Sequence, residues 1–165
     1  MVIAIGNDRN GIDYKKRLIA HLESLGHTVI DCGTNENIPA DYPVHGERVG
    51  RLVASGKCQR GIVICATGIG IAISADKVKG IRTGMGYTDD VARLMRVHND
   101  ANVIAFGQDF MTYEEVEKRV DIFLKTEFAG GYHITRIQQI SDIENGLPIK
   151  QTPILNQNNK HIRGK

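Results

Sequence analysis

Short apolar runs alternate with longer amphipathic stretches along the chain, and the two periods separate strands from helices. Val2-Ile3-Ala4-Ile5, Thr28-Val29-Ile30-Asp31, Gly61-Ile62-Val63-Ile64-Cys65, Gly80-Ile81-Arg82-Thr83-Gly84 and Asn102-Val103-Ile104-Ala105-Phe106 read as five strands. Tyr14 to Leu25 sets Leu18, Ile19, Leu22 and Leu25 on one helical face, and Gly26 follows where a cap glycine belongs. The same period predicts helices over Tyr42–Ser55, Ile69–Lys77, Asp89–Val97, Thr112–Glu127 and Tyr132–Glu144, with Pro43 tolerated in a first turn. Strands that are apolar on both faces and alternate with helices predict a parallel sheet covered on both sides. Five strands make this an open, doubly wound α/β domain spanning residues 1–145. Beyond Asn145 the composition shifts to Pro, Gln, Asn and Lys. Residues 146–165 are expected to be an extended arm or a disordered tail, with Leu147, Ile149, Ile154 and Leu155 available to dock on a neighbouring subunit.

Composition adds exclusions. The chain has 165 residues, 41% of them hydrophobic, and a net charge of +2 from 21 basic and 19 acidic side chains. That size suits one domain with a real core, and the charge balance predicts neither a nucleic-acid nor a membrane partner. No apolar run approaches the length of a membrane span, and the first residues lack the pattern of a signal peptide. Cys32, Cys58 and Cys65 are an odd set without CxxC spacing. They are expected to be free thiols in a reducing, cytoplasmic compartment rather than a disulfide framework or a zinc site.

In an open α/β sheet, ligands bind beyond the carboxyl ends of the strands. Those ends carry Gly6-Asn7-Asp8-Arg9-Asn10-Gly11, Cys65-Ala66-Thr67-Gly68-Ile69-Gly70 and Phe106-Gly107-Gln108. The turn Thr67-Gly68-Ile69-Gly70 opens a helix, whose free N–H groups and dipole favour an anion; a tight turn with no ligand is the other reading. It is neither a dinucleotide fingerprint nor a P-loop. Cys65, just before a helix N-terminus, stands where a thiolate can be favoured, although position alone favours a buried inert cysteine. His133 and Arg136, three apart at a helix start, form either a phosphate clamp or two solvated surface residues. His98-Asn99-Asp100 falls at the end of a helix, so it reaches the strand ends only from a loop turned toward them or from another subunit.

These blocks together resemble the type B ribose-5-phosphate isomerases and their galactose-6-phosphate and allose-6-phosphate isomerase relatives. The resemblance is carried by Gly6-x-Asp8, Asp41-Tyr42-Pro43, Gly61 to Gly70, Asp76-Lys77-Val-x-Gly80-Ile-Arg82, His98-Asn99-Asp100-Ala-Asn102-Val and Gly130-Gly131-x-His133, in order from about Val2 to Glu144. It implies a Rossmann-like three-layer α/β/α sandwich with a five-stranded parallel sheet. It further implies a homodimer or homotetramer whose active site is shared between subunits. The reaction it implies is aldose–ketose isomerisation of a sugar phosphate through a cis-enediolate, with no metal and no cofactor. Cys65 would be the base, and Thr67 with the amides of Gly68, Ile69 and Gly70 the enediolate stabiliser. His98 would assist ring opening, Asp8 and Asn99 would bind sugar hydroxyls, and Tyr42 would line the pocket. Some relatives use a glutamate in the following loop as base; Ile69-Gly70-Ile71-Ala72-Ile73 contains no acid.

The chain departs from that pattern at three places. Arg9 stands where histidine is usual, Tyr132 where arginine is usual, and Asn37-Ile38-Pro39-Ala40 lacks a common arginine. Arg9, with Arg136 and His133, is therefore expected to bind the phosphate, and the sugar is open among tetrose, pentose and hexose phosphates. Three other readings compete. The chain is a half-site subunit of a hetero-oligomeric isomerase, a flavodoxin-like nucleotide module, or a redox thiol protein with Cys32 or Cys58 resolving Cys65. Retention of Cys65, Thr67 and His98 opposes the first, and 5% aromatic residues with no Trp oppose flavin stacking.

Overall fold

In the computed structural model, residues 1–152 are described, and Ile154 and Leu155 of the expected arm lie outside them. Five strands, β1 (Val2–Asn7), β2 (Thr28–Asp31), β3 (Arg60–Cys65), β4 (Thr83–Met85) and β5 (Val103–Gly107), form one all-parallel sheet in the order β2-β1-β3-β5-β4. Helices α1 (Ile12–Ser24), α2 (Tyr42–Ala54), α3 (Ile69–Asp76), α4 (Asp89–Asn99), α5 (Tyr113–Lys125) and α6 (His133–Glu144) complete the fold.

Strand side chains alternate between two separate cores, as a pleated strand requires. Ile3, Ile5, Ile62, Ile64, Ile104 and Phe106 face one side, with Leu18, Leu22, Met95, Val116, Val120 and Phe123. Ala4, Val63, Val103 and Ala105 face the other, with Val49, Val53, Ile71 and Ala75. The layers are thus α1, α4 and α5 on one face and α2 and α3 on the second. The α2–α3 contact is close because α2 carries glycine where the helices cross: a Cβ on Gly46 would lie 2.7 Å from the Ile71 carbonyl oxygen.

Several element boundaries differ from the sequence expectation, three of them for reasons visible in the structure. The strand expected at Gly80 begins at Thr83, because Gly80 takes φ +87° and the Ile81 N–H turns back to the Val78 carbonyl at 3.1 Å. α1 starts at Ile12, continuing a 3-10 turn over Arg9–Gly11 that the Asp8 carboxylate caps through the Asn10 N–H. The last helix of the sheet-covering layer stops at Lys125, where Thr126 becomes extended, and it starts on a capping box between Thr112 and Glu115. Residues 146–152 leave α6 without secondary structure, and Gln139 Nε2 donates to the Lys150 carbonyl at 2.6 Å.

Lysine 15 shows what the sheet edge demands. Its position on α1 is fully buried, and its ammonium donates to both Asp31 oxygens (3.0 and 2.8 Å), to the Thr34 carbonyl (2.9 Å) and to Asn35 Oδ1 (2.9 Å). A buried cation is tolerated only with its donors satisfied, and here that satisfaction pins the start of the β2–α2 loop to α1.

Candidate active site

The chain runs from β1 to β2 in one direction and from there to β3 in the other, so the crevice opens between the carboxyl ends of β1 and β3. Asp8 and Cys65 occupy those ends side by side: the Asp8 N–H donates to the Ile64 carbonyl at 3.2 Å. Cys65 is 5% exposed, and its sulfur accepts the Gly68 N–H at 3.1 Å. A backbone donor aimed at sulfur from the start of a helix is the partner that a thiolate takes.

The turn behind it is held by sterics. Gly68 has φ +79°, and a Cβ there would lie 2.7 Å from the Phe106 carbonyl carbon. A Cβ on Gly107 would lie 2.5 Å from the Thr67 carbonyl oxygen, and one on Gly70 would lie 2.7 Å from the Tyr42 ring. The ends of β3 and β5 and the start of α2 therefore converge on Thr67-Gly68-Ile69-Gly70. Thr67 is exposed there, with its hydroxyl accepting the Ile69 N–H at 3.3 Å. Gly68→Ala should lower stability by about 2 kcal/mol or more, through the left-handed φ and the backbone clash together. A thermal melt would read this as a Tm lower by roughly 5 °C or more.

Asp8 is buried, and its two oxygens take the Asn10 N–H (2.9 Å) and side-chain amide (3.0 Å). Arg9 points outward and lines a cavity of about 300 Å³ with Asn10, Ile12, Asp13, Lys16 and Asn37. Asn7 is a residue that sequence reasoning does not single out. It is fully buried, its amide donates to the Asp8 carbonyl (2.6 Å), and its Oδ1 has no partner. Its signal in the sequence is only its place at a strand end. Gln108, at the end of β5, likewise buries an unpaired Oε1.

The second group of expected site residues lies elsewhere. α4 returns from the carboxyl edge to the amino edge, so His98 and Asn99, in its last turn, stand just before β5 begins. β5 advances five residues before its carboxyl end, about 16 Å at the usual rise. A loop turning His98 toward Cys65 within one chain is therefore excluded. His98 stacks on His133, with ring centroids 4.6 Å apart and 20° between planes. Tyr132 also packs on His133, with ring centroids 4.1 Å apart, and the Arg136 guanidinium lies 4.5 Å over the Tyr132 ring. His133 is thus buried inside a stack and does not stand with Arg136 as two solvated residues. Burial first, then His98 and Arg136, holds the His133 imidazole below its ordinary pKa. Arg9 does not join Arg136 and His133 within one chain, because Arg9 follows the carboxyl end of β1 while the start of α6 packs on His98 at the amino edge of the sheet.

The other thiols are remote. Cys32 follows β2, which β1 separates from β3, so two strand spacings, roughly 9.6 Å, separate it from Cys65. That exceeds disulfide reach, and Cys58 lies at the amino edge beside β3, so neither can resolve Cys65. Burial, with Cys58 and Asp31 adding to it, pushes the Cys32 thiol up to about 11, and burial raises Cys58 as well. Among the described residues no group of three or more His, Cys, Asp or Glu side chains is spaced to hold a metal ion, and no helix is long and apolar enough to cross a membrane.

A parallel sheet with a cysteine and an anion-favouring turn at its switch point places the chain in the class of open α/β domains that bind small ligands at their strand ends. The chain belongs to the ribose/galactose isomerase family, whose sequence profile matches residues 3–140. It is 41% identical over 142 residues to ribose-5-phosphate isomerase B of Escherichia coli, covering 86% of this chain and 95% of that one. It is 40% identical over 128 residues to galactose-6-phosphate isomerase subunit LacB of Clostridium acetobutylicum, covering 78% and 74%. Among solved structures, ribose-5-phosphate isomerase B of Clostridium thermocellum superposes with a TM-score of 0.87 at 44% identity, covering 88% and 99%. The Mycoplasma genitalium enzyme with bound ribulose-5-phosphate has a TM-score of 0.83 at 36% identity, covering 87% and 96%.

Proposed function

We propose that this sugar-phosphate isomerase interconverts an aldose phosphate and its ketose with Cys65 as the base, in a site completed by a second copy of the chain. The observation that carries the base is the Gly68 N–H at 3.1 Å from the Cys65 sulfur, at the crevice between β1 and β3. In the open-chain aldose, the thiolate takes the proton from C2, and the electron pair moves onto the carbonyl oxygen at C1. Returning the proton from the thiol to C1, while the O2 hydroxyl passes its own proton to the O1 oxyanion, leaves the ketose with its carbonyl at C2 and a hydroxyl at C1. The enediolate between the two carries its charge beside Thr67 and the N-terminal amides of α3, where no intrahelical acceptor competes. Asp8 and Asn99 hold sugar hydroxyls, and Tyr42 closes the wall against Gly70. The substrate is ribose 5-phosphate or a tetrose or hexose relative.

The separation of His98 from Cys65 supports the second half of the reading. A partner's α4 end would bring His98 and Asn99, with Arg136, to the Cys65 edge. His98 then moves a proton from the anomeric hydroxyl to the ring oxygen as the sugar opens. Arg9 anchors the phosphate from this chain, and Arg136 from the partner. Arg9→Ala should raise KM by about tenfold or more with a smaller change in kcat, since a uniform binding contact is removed. A KM within about twofold of wild type would remove Arg9 from the phosphate site.

Similarity to a protein named as a subunit favours one further reading, a half-site chain that needs a different partner. Turnover by the purified chain alone, across four-, five- and six-carbon aldose and ketose phosphates, separates the two. Activity supports the self-complete enzyme, and a folded but inactive chain supports the half-site reading.

A further inference from the structure

Asp100 ends α4 in the left-handed region, at φ 45° and ψ 41°. Every other left-handed position among the described residues is glycine. A helix that only needed to stop would use glycine there, because a Cβ costs free energy at this φ. The side chain therefore has a use, and its contacts show which. Asp100 Oδ2 accepts Arg82 Nη2 at 3.0 Å, and Oδ1 accepts Arg96 Nη1 at 2.7 Å. Its carbonyl takes two further contacts from Arg82, from Nη2 at 2.8 Å and Nε at 3.2 Å. Arg82 Nε also donates to the Asn99 carbonyl at 3.0 Å. Arg96 is 2% exposed and ties the knot to its surroundings through the carbonyls of Ala101 (2.6 Å) and Thr126 (3.2 Å).

All of these bonds but the one to Thr126 close on Asn99, Asp100 and Ala101, the residues immediately after His98. The backbone of Asn99, Asp100 and Ala101 is held from β4's side by Arg82 and from α4's own interior by Arg96. A conformation that is locally unfavourable, yet held by so many contacts, is found where a neighbouring group must keep one orientation. We infer that Asp100 is a positioning residue: clamped by Arg82 and Arg96, it fixes the end of α4 so that His98 and Asn99 are presented to the partner's site in a single orientation. The inference rests on the reading of His98 as an acid–base group.

The test is a kinetic cycle on the full chain with Asp100→Gly, Asp100→Asn, His98→Ala and the double variant His98→Ala/Asp100→Gly. Glycine keeps the backbone turn at no steric cost and removes only the carboxylate. Asp100→Gly should lower kcat about tenfold or more while KM moves less than about threefold, and Asp100→Asn, which keeps one acceptor, should fall between it and wild type. In the His98→Ala background, Asp100→Gly should lower kcat by less than about threefold more, because the acid–base group it positions is gone and the loss of Asn99 placement, a binding contact, is read in KM. A single variant with kcat within about threefold of wild type, or losses that multiply in the double variant, overturns the inference. If Asp100→Gly does not fold by circular dichroism, the same two criteria are applied to Asp100→Asn and its double variant. Full turnover by His98→Ala alone overturns the reading of His98 as well, which separates that failure from failure of Asp100.

Discussion

Replacing Cys65 by serine or alanine lowers kcat by about 10³-fold with the fold intact, the size expected when a positioned base is removed. Serine is the sharper test. Its hydroxyl fits the same volume and still accepts the Gly68 N–H that reaches the cysteine sulfur at 3.1 Å. It is, however, far too weak an acid to supply a base near neutral pH. Alanine leaves that buried N–H without a partner, so some lost stability, about 1–3 kcal/mol, accompanies the lost rate. The two effects are separated by measuring kcat and Tm on both variants. Cys32→Ser and Cys58→Ser are the controls. Both thiols are raised by burial, stay protonated at neutral pH and sit away from the crevice, so both variants keep turnover. Near-wild-type kcat in Cys65→Ser would remove Cys65 as the base.

Two strongly impaired variants, Cys65→Ala and His98→Ala, recover activity when they are mixed by co-refolding. The expectation follows from where the residues sit. Cys65 ends β3 and His98 ends α4, at opposite edges of one sheet. In a two-fold dimer, each shared site takes Cys65 from one copy and His98 from the other. A mixed dimer therefore has one site with both residues altered and one with both intact. Random pairing makes half of the dimers mixed, and half of their sites work, so the mixture recovers about a quarter of wild-type activity. The assay is turnover before and after co-refolding at equal concentrations. If the site lies wholly in one chain, mixing recovers nothing. If the chain needs a different partner, neither the wild type nor the mixture turns over.

Much of this molecule is legible in the residues. The strands over 2–5, 28–31, 61–65 and 102–106 and the helices that follow them are read from periodicity alone, because doubly apolar strands and 3.6-residue faces have few other uses. Cys65, Asp8 and the Thr67–Gly70 turn are legible for a related reason: strand ends in an open α/β sheet are where ligands bind. The weak element was β4. Its edge position and three-residue length leave too little apolar pattern, and Gly80 supplies a turn where the pattern suggests a strand. Lys15 is not legible in the sequence. Nothing in the local pattern marks it, yet Asp31, Thr34 and Asn35 surround its ammonium.

The sequence by itself determined the local elements and the residues of the β3 turn, which depend on neighbours within one or two turns of chain, and the parallel sheet and the family resemblance, which are read from the order of those elements and motifs along the chain. Only the tertiary structure decided the strand order, in which β5 inserts between β3 and β4. Only it showed that His98, His133, Tyr132 and Arg136 form one stack, and that this stack lies across the sheet from Cys65. Those facts rest on contacts between segments far apart in the chain, which the burial of both sheet faces selects and which no local period records.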